Sequence, residues 1–155
     1  MAFHPDLYKG AQLYRHSFEH EVWANHATLQ MLATVSQDQR SDPRFKQAVR
    51  LLDHLYAVRY NHALLLAGVQ DGLMPWFNDN ATFESLEATQ AKMELACLDY
   101  FSNLTDGEVQ GRFEFEDNGE KWWVKTEAQL FQLIGHAPYH RGQIVLLVQQ
   151  LGGET

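Results

Sequence analysis

Residues 135–143 read GHAPYHRGQ and set two histidines, His136 and His140, four positions apart. On a helix that spacing stacks two imidazoles on one face, with Cβ atoms about 5–6 Å apart. Two ring nitrogens can then reach one divalent ion at a metal–nitrogen distance of about 2.0–2.1 Å. Spacing alone is a weak signal, because eight histidines in 155 residues generate roughly 0.4 such pairs by chance. The chain holds a second pair, His16 with His20. A third ligand strengthens the signal. His54 lies in RLLDHLYAVRYNH among Leu51, Leu52, Leu55 and Val58, near the expected inward face of a helix. A lone histidine there is more often a hydrogen-bonded core residue. Three neutral imidazoles meeting inside a bundle would instead leave a fourth position open, the arrangement of catalytic rather than structural zinc.

The elements that must position these residues can be read from periodicity. Asp6 to Val35 predicts a long helix, with Leu7, Leu13, Tyr14, Phe18, Val22, Trp23, Leu29 and Leu32 recurring at intervals of three, four and seven. SQDQRSDPRF interrupts it, and Pro43 suits the first turn of a second helix capped by Asp42 and running to about Leu66. GVQDGLMPWFNDNA reads as a long connection. A third helix is expected from near Thr82, with Thr82 and Ser85 as caps, to near Leu104, before TDGEVQG. In GRFEFEDNGEKWWVK, Phe113 and Phe115 alternate with acidic residues and Asn118-Gly119 predicts a β-hairpin. Thr126 with Gln129 forms a capping-box pattern for a last helix that runs to Leu151 and stops at Gly152-Gly153. Pro138 either bends that helix, at about 3 kcal/mol or more if unrelieved, or splits it near Gly135. The expected fold is all-α: a single domain, residues 1–155, forming a four-helix bundle with a short β-hairpin before the last helix.

Composition narrows the function. The 20 Asp and Glu outnumber 12 Lys and Arg, for a net charge of −8. That balance disfavours nucleic acid and anionic membrane surfaces as partners. Cys97 is the single cysteine, so no intrachain disulfide or cysteine zinc cluster is available, which fits a cytoplasmic location. MAFHPDLYKG shows no basic region followed by an apolar run, so no signal peptide is expected. Apolar runs such as ALLLAGV fall far short of the roughly 18 residues of a membrane span.

His54, the H-x-x-x-H-R-G-Q-I run from His136 to Ile144, and Trp23-Ala24-Asn25 together resemble the DinB/YfiT-like superfamily over nearly the whole chain. The resemblance implies a four-helix bundle that holds a divalent metal ion through His54, His136 and His140. Three imidazoles suit Zn, Ni, Cu or Fe, and zinc or nickel is the leading expectation. It also implies a homodimer and a small-molecule substrate. Characterised relatives are largely transferases or isomerases that use a low-molecular-weight thiol such as bacillithiol, mycothiol or glutathione. Pro138 departs from the common pattern between the two histidines.

If the first two helices are antiparallel across a loop near Gln39, the level of His54 falls near Ala24. His20, Trp23 and Asn25 are then pocket candidates, His20 as a fourth ligand or proton carrier and Trp23 with plain core packing as its alternative. Arg141 could hold a substrate carboxylate, or pair with an acidic residue of a neighbouring helix. Tyr56, Arg59, Tyr60 and His62 are weaker candidates, and His16 and His26 read as exposed or structural. The leading expectation is a metal-dependent thiol S-transferase. The alternatives are a hydrolase with metal-activated water and a non-catalytic bundle that binds a metal or small ligand.

Overall fold

The computed structural model describes residues 9–117 and 119–155. In chain order its elements are α1 (Gly10–Ala33), α2 (Pro43–Leu66), α3 (Phe83–Asn103), α4 (Asp106–Gln110), β1 (Arg112–Asp117), β2 (Glu120–Lys125) and α5 (Thr126–Gln150). A 3₁₀ turn, Gln37–Ser41, joins α1 to α2. Four long helices and a hairpin before the last one match the expectation; the short α4 is an addition. No helix among the described residues is long and apolar enough to cross a membrane.

Local chemistry explains most boundaries. The Asp42 carboxylate accepts from the Arg44 N–H at 2.8 Å, and Pro43 fills the first helical position of α2, where no N–H is needed. Thr82 and Ser85 cap α3 reciprocally, each side chain bonding the other's backbone N–H. The same box opens α4, between Thr105 and Glu108, inside the stretch that reads as a connection. This short helix has a purpose: Asp106 accepts from the Ala11 N–H at 2.9 Å and so caps α1 from a distant part of the chain. The approach needs Gly10, whose φ is +54° and where a Cβ would lie 2.3 Å from the Asp106 carboxylate. The expected start of α1 at Asp6 lies outside the described residues.

The capping box expected at Thr126 and Gln129 does not form. Thr126 is buried and its N–H donates to the Gly111 carbonyl at 3.2 Å, tying α5 to the foot of the hairpin, while Gln129 turns to Gln132. At the other end Gly152 adopts φ +75°, and the Gly152 and Gly153 N–H groups bond the carbonyls of Gln149 and Val148 in a Schellman closure. β1 and β2 pair antiparallel from Arg112 opposite Lys125 to Asp117 opposite Glu120. Gly119 of the expected Asn-Gly turn has φ +80°, and Asn118 lies outside the described residues.

α5 passes through Pro138 without a break. Pro138 is exposed, so its ring lies on the solvent side of the helix and displaces nothing in the core. In the bundle α1 and α2 each pack on both α3 and α5, and lie diagonally across from one another. The shared core includes Leu52, Tyr56, Leu86, Met93, Leu130, Ile144 and Val148. The Tyr56 hydroxyl donates to Gln90 at 2.9 Å within that core, so Tyr56 is a structural residue.

Candidate metal centre

α2 and α5 pack together, and their facing sides bring His54, His136 and His140 into one group whose ligand nitrogens all lie within 4.8 Å of one another. The Nε2 atoms of His136 and His140 are 3.0 Å apart. Nitrogens this close can both sit about 2.0–2.1 Å from one ion, so the donor set fits a divalent cation. The His54 ring stands edge-on to both others, at 79° and 88°. Because α5 remains helical through Pro138, His136 and His140 keep the common face that the four-residue spacing requires.

Outer contacts fix the rings. His54 Nδ1 lies 2.5 Å from the Trp76 carbonyl. A carbonyl only accepts, so this nitrogen carries the proton and Nε2 keeps its lone pair for an ion. Asn61 in turn holds the segment that bears Trp76. Its amide donates to the Met74 carbonyl at 2.8 Å and accepts from the Met74 N–H at 2.7 Å. On α5, His140 Nδ1 donates to the Gln143 side-chain oxygen at 2.7 Å, and the Gln143 amide reaches the Tyr139 hydroxyl at 3.4 Å. Phe77 stacks flat on His54, with centroids 4.1 Å apart.

Burial sets the protonation state. It pushes the His54 pKa below the ordinary imidazole value, only partly opposed by the bond to Trp76. Burial, followed by the charges of His140 and His54, brings His136 down to about 4. His54 and His136 are therefore neutral at neutral pH, the form that ligation needs.

The pocket candidates divide. Arg141 makes two bonds, of 2.7 and 2.8 Å, to the Glu21 carboxylate on α1. Arg59 of α2 pairs with the same carboxylate and donates to Asn25 at 3.4 Å. Burial alone would raise the Glu21 pKa; the Arg141 hydrogen bond and the two guanidinium charges outweigh it and hold the carboxylate ionised. Asn25 is fully buried, and its Nδ2 has no partner. His20 and Trp23 are not brought to the histidine group. Trp23 is 66% exposed and tilts against His20, whose side chain is 63% exposed. The helical pitch explains this: with Glu21 facing inward, a residue two positions on points roughly 200° away. His62 bonds its own helix at the Val58 carbonyl, and Tyr60 lies under the Lys92 ammonium. His26 pairs with Glu94, and His16 with Glu19.

Glu21, Asn61, Gln143 and the Trp76-Phe77 pair of the α2–α3 connection are the residues that sequence reasoning missed. For Glu21 a signal existed. Phe18, Glu21, Asn25, Thr28 and Leu32 follow the inward three-four rhythm of α1, and three polar residues occupy slots that are otherwise apolar. Gln143 stood within the H-x-x-x-H-R-G-Q-I run but carried no assigned role. Asn61 had no signal, because its partner is the backbone of a loop.

The DinB family profile matches residues 8–155, and the chain belongs to the DinB family. No curated protein and no solved structure matches it.

Proposed function

We propose that this protein is a divalent-metal-dependent thiol S-transferase that takes its thiol from solution. The observation that carries the reading is a group of three imidazoles whose ligand nitrogens lie within 4.8 Å of one another, with no carboxylate among them. His54, His136 and His140 would hold the ion, which when bound favours a thiol's thiolate form and so raises the population of nucleophile at neutral pH. The chain's own thiol is unsuited to that role: Cys97 is buried in the core, and burial pushes its pKa up to about 12. Trp76 and Gln143 orient the two imidazoles they bond, and Phe77 covers one face of His54.

A hydrolase reading is supported less well. Activation of water is helped by a nearby carboxylate base, and no described carboxylate joins the histidine group. Glu21 is engaged by two arginines. The substrate is a small molecule in either reading. A homodimer belongs to the proposal too, with the exposed Leu95 and Leu98 of α3 as an apolar surface for it, and sedimentation would check the stoichiometry.

The first test is elemental analysis of untagged protein, prepared without chelators or nickel resin, beside a His136→Ala/His140→Ala variant. The expected result is about one divalent ion per chain, lost in the variant. Metal-dependent conjugation of thiols to a panel of electrophiles should follow. Metal-dependent ester or amide turnover without any thiol would favour the hydrolase. Absence of metal after equilibration with Zn²⁺ and Ni²⁺ would leave a non-catalytic bundle.

A further inference from the structure

The chain is acidic, yet four of its 12 Lys and Arg, namely Arg40, Arg44, Lys46 and Arg50, fall within residues 40–50. Two of the four are occupied locally. Arg44 pairs with Asp42 at 2.7 Å, and Arg40 donates to the carbonyls of Val35 and Ala33. The other two point elsewhere. Lys46 and Arg50 stand four and eight positions before His54 in reverse order, so the three residues form one i, i+4 row on α2 that ends at a candidate ligand. Lys46 and Arg50 line a surface groove of about 430 Å³ together with Pro43, Gln47, Leu51 and Phe77. Phe77 is also the ring that lies flat on His54, so one side chain both lines the groove and packs on the histidine group.

The two cations are available to a ligand. Arg50 meets Asp79 at 2.6 Å, but Asp79 is 83% exposed, and an ion pair in that setting is readily exchanged. Lys46 is exposed and makes no ion pair among the described residues. Arg141, the residue next to a ligand that could have met a carboxylate, is committed to Glu21. A helical rise of about 1.5 Å per residue places Arg50 about 6 Å and Lys46 about 12 Å from His54 along the axis.

We propose that this groove seats the carboxylate-bearing tail of a ligand whose head reaches the three-histidine centre. The proposal rests on the thiol reading above and narrows its substrate class. The thiol is anionic at the end remote from sulfur, and a chain of several atoms separates the two groups. Leu51 and Phe77 contact the chain, and Arg50 and Lys46 meet the carboxylate.

The test uses the full chain loaded with Co²⁺ and reads the sulfur-to-cobalt charge-transfer absorption. The probes are 6-mercaptohexanoate and its uncharged counterpart 6-mercaptohexanol. The carboxylate probe is expected to bind about tenfold more tightly at low salt, the scale of one or two partly screened charge contacts. That preference should shrink as salt is raised, and vanish in a Lys46→Gln/Arg50→Gln variant. Both residues are on the surface, and an unchanged affinity of the variant for 6-mercaptohexanol reports an intact site. Equal binding of the two probes by the native chain would overturn the groove and leave the thiol reading standing. So would a preference that survives in the variant. A metal-loaded protein that gives no band with either thiol would overturn the proposed function and the groove with it.

Discussion

His140 and Arg141 are neighbours on α5, yet they belong to two polar clusters built on opposite principles. The histidine group joins α2 to α5 through nitrogens whose lone pairs the protein leaves largely unused. The arginine cluster joins α1, α2 and α5 through Glu21, whose two oxygens are taken by Arg59 and Arg141. One cluster is built of imidazoles and has capacity to spare. The other is fully charged and nearly complete, with only the Asn25 Nδ2 unsatisfied. The contrast separates binding from positioning. The Glu21 cluster ties α2 and α5 to α1, and the histidine group between α2 and α5 keeps nitrogens that no other side chain claims.

Removing Glu21 should have the largest effect on stability. Glu21→Ala leaves two guanidiniums without their carboxylate in the bundle interior, which costs about 3–5 kcal/mol, to be read from urea unfolding of the metal-free protein. A loss under about 1 kcal/mol would put the pair in the range of exposed ion pairs and end its role as a clamp. Asn61→Ala addresses the other cluster. It frees the segment that presents the Trp76 carbonyl, and affinity for the ion should fall by about 10–100-fold in a chelator competition. An unchanged affinity would show that His54 holds its tautomer without that support.

A smaller effect follows from pH. His136 and His54 have pKa values below that of an unfolded histidine, about 6.5. Between the two values the unfolded chain binds more protons, so the metal-free protein loses stability as pH falls from about 6.5 toward about 4. Above that window these groups add no slope. The slope should flatten in His136→Ala, which unfolding at a series of pH values would reveal. Smallest of all, Trp23→Ala and His20→Ala should leave metal content unchanged and move stability by no more than about 0.5 kcal/mol. Metal loss in either would return them to the site.

What the sequence made legible follows from how far each signal reaches along the chain. Pro43 after Asp42, Thr82 before Ser85, and Gly152-Gly153 act within one turn, and each marks the boundary that the structure has. The histidines were readable because two of them share a helix face and the third sits in an apolar stretch of α2. The site's supports were less so. Glu21 finds one partner 38 residues away and the other 120 away. Asn61 bonds a main chain, which has no sequence signature. Trp23 is the opposite case: an aromatic beside inward residues reads as pocket or core, and the helical pitch leaves it exposed.

The Asn61 clamp has a practical consequence for the α2–α3 connection. Met74 is pinned to α2 in both directions, so the chain before it is mechanically separate from the part that carries Trp76 and Phe77. Residues 70–73 are exposed, and Gly72 within them, with φ +74°, has open space around it. This stretch is a tether with slack on one side of an anchor. A few added residues beside Gly72, or a dye attached through an Asp71→Cys change, would lengthen the slack and leave the histidine group in place, which makes this stretch the natural point for a reporter in metal titrations.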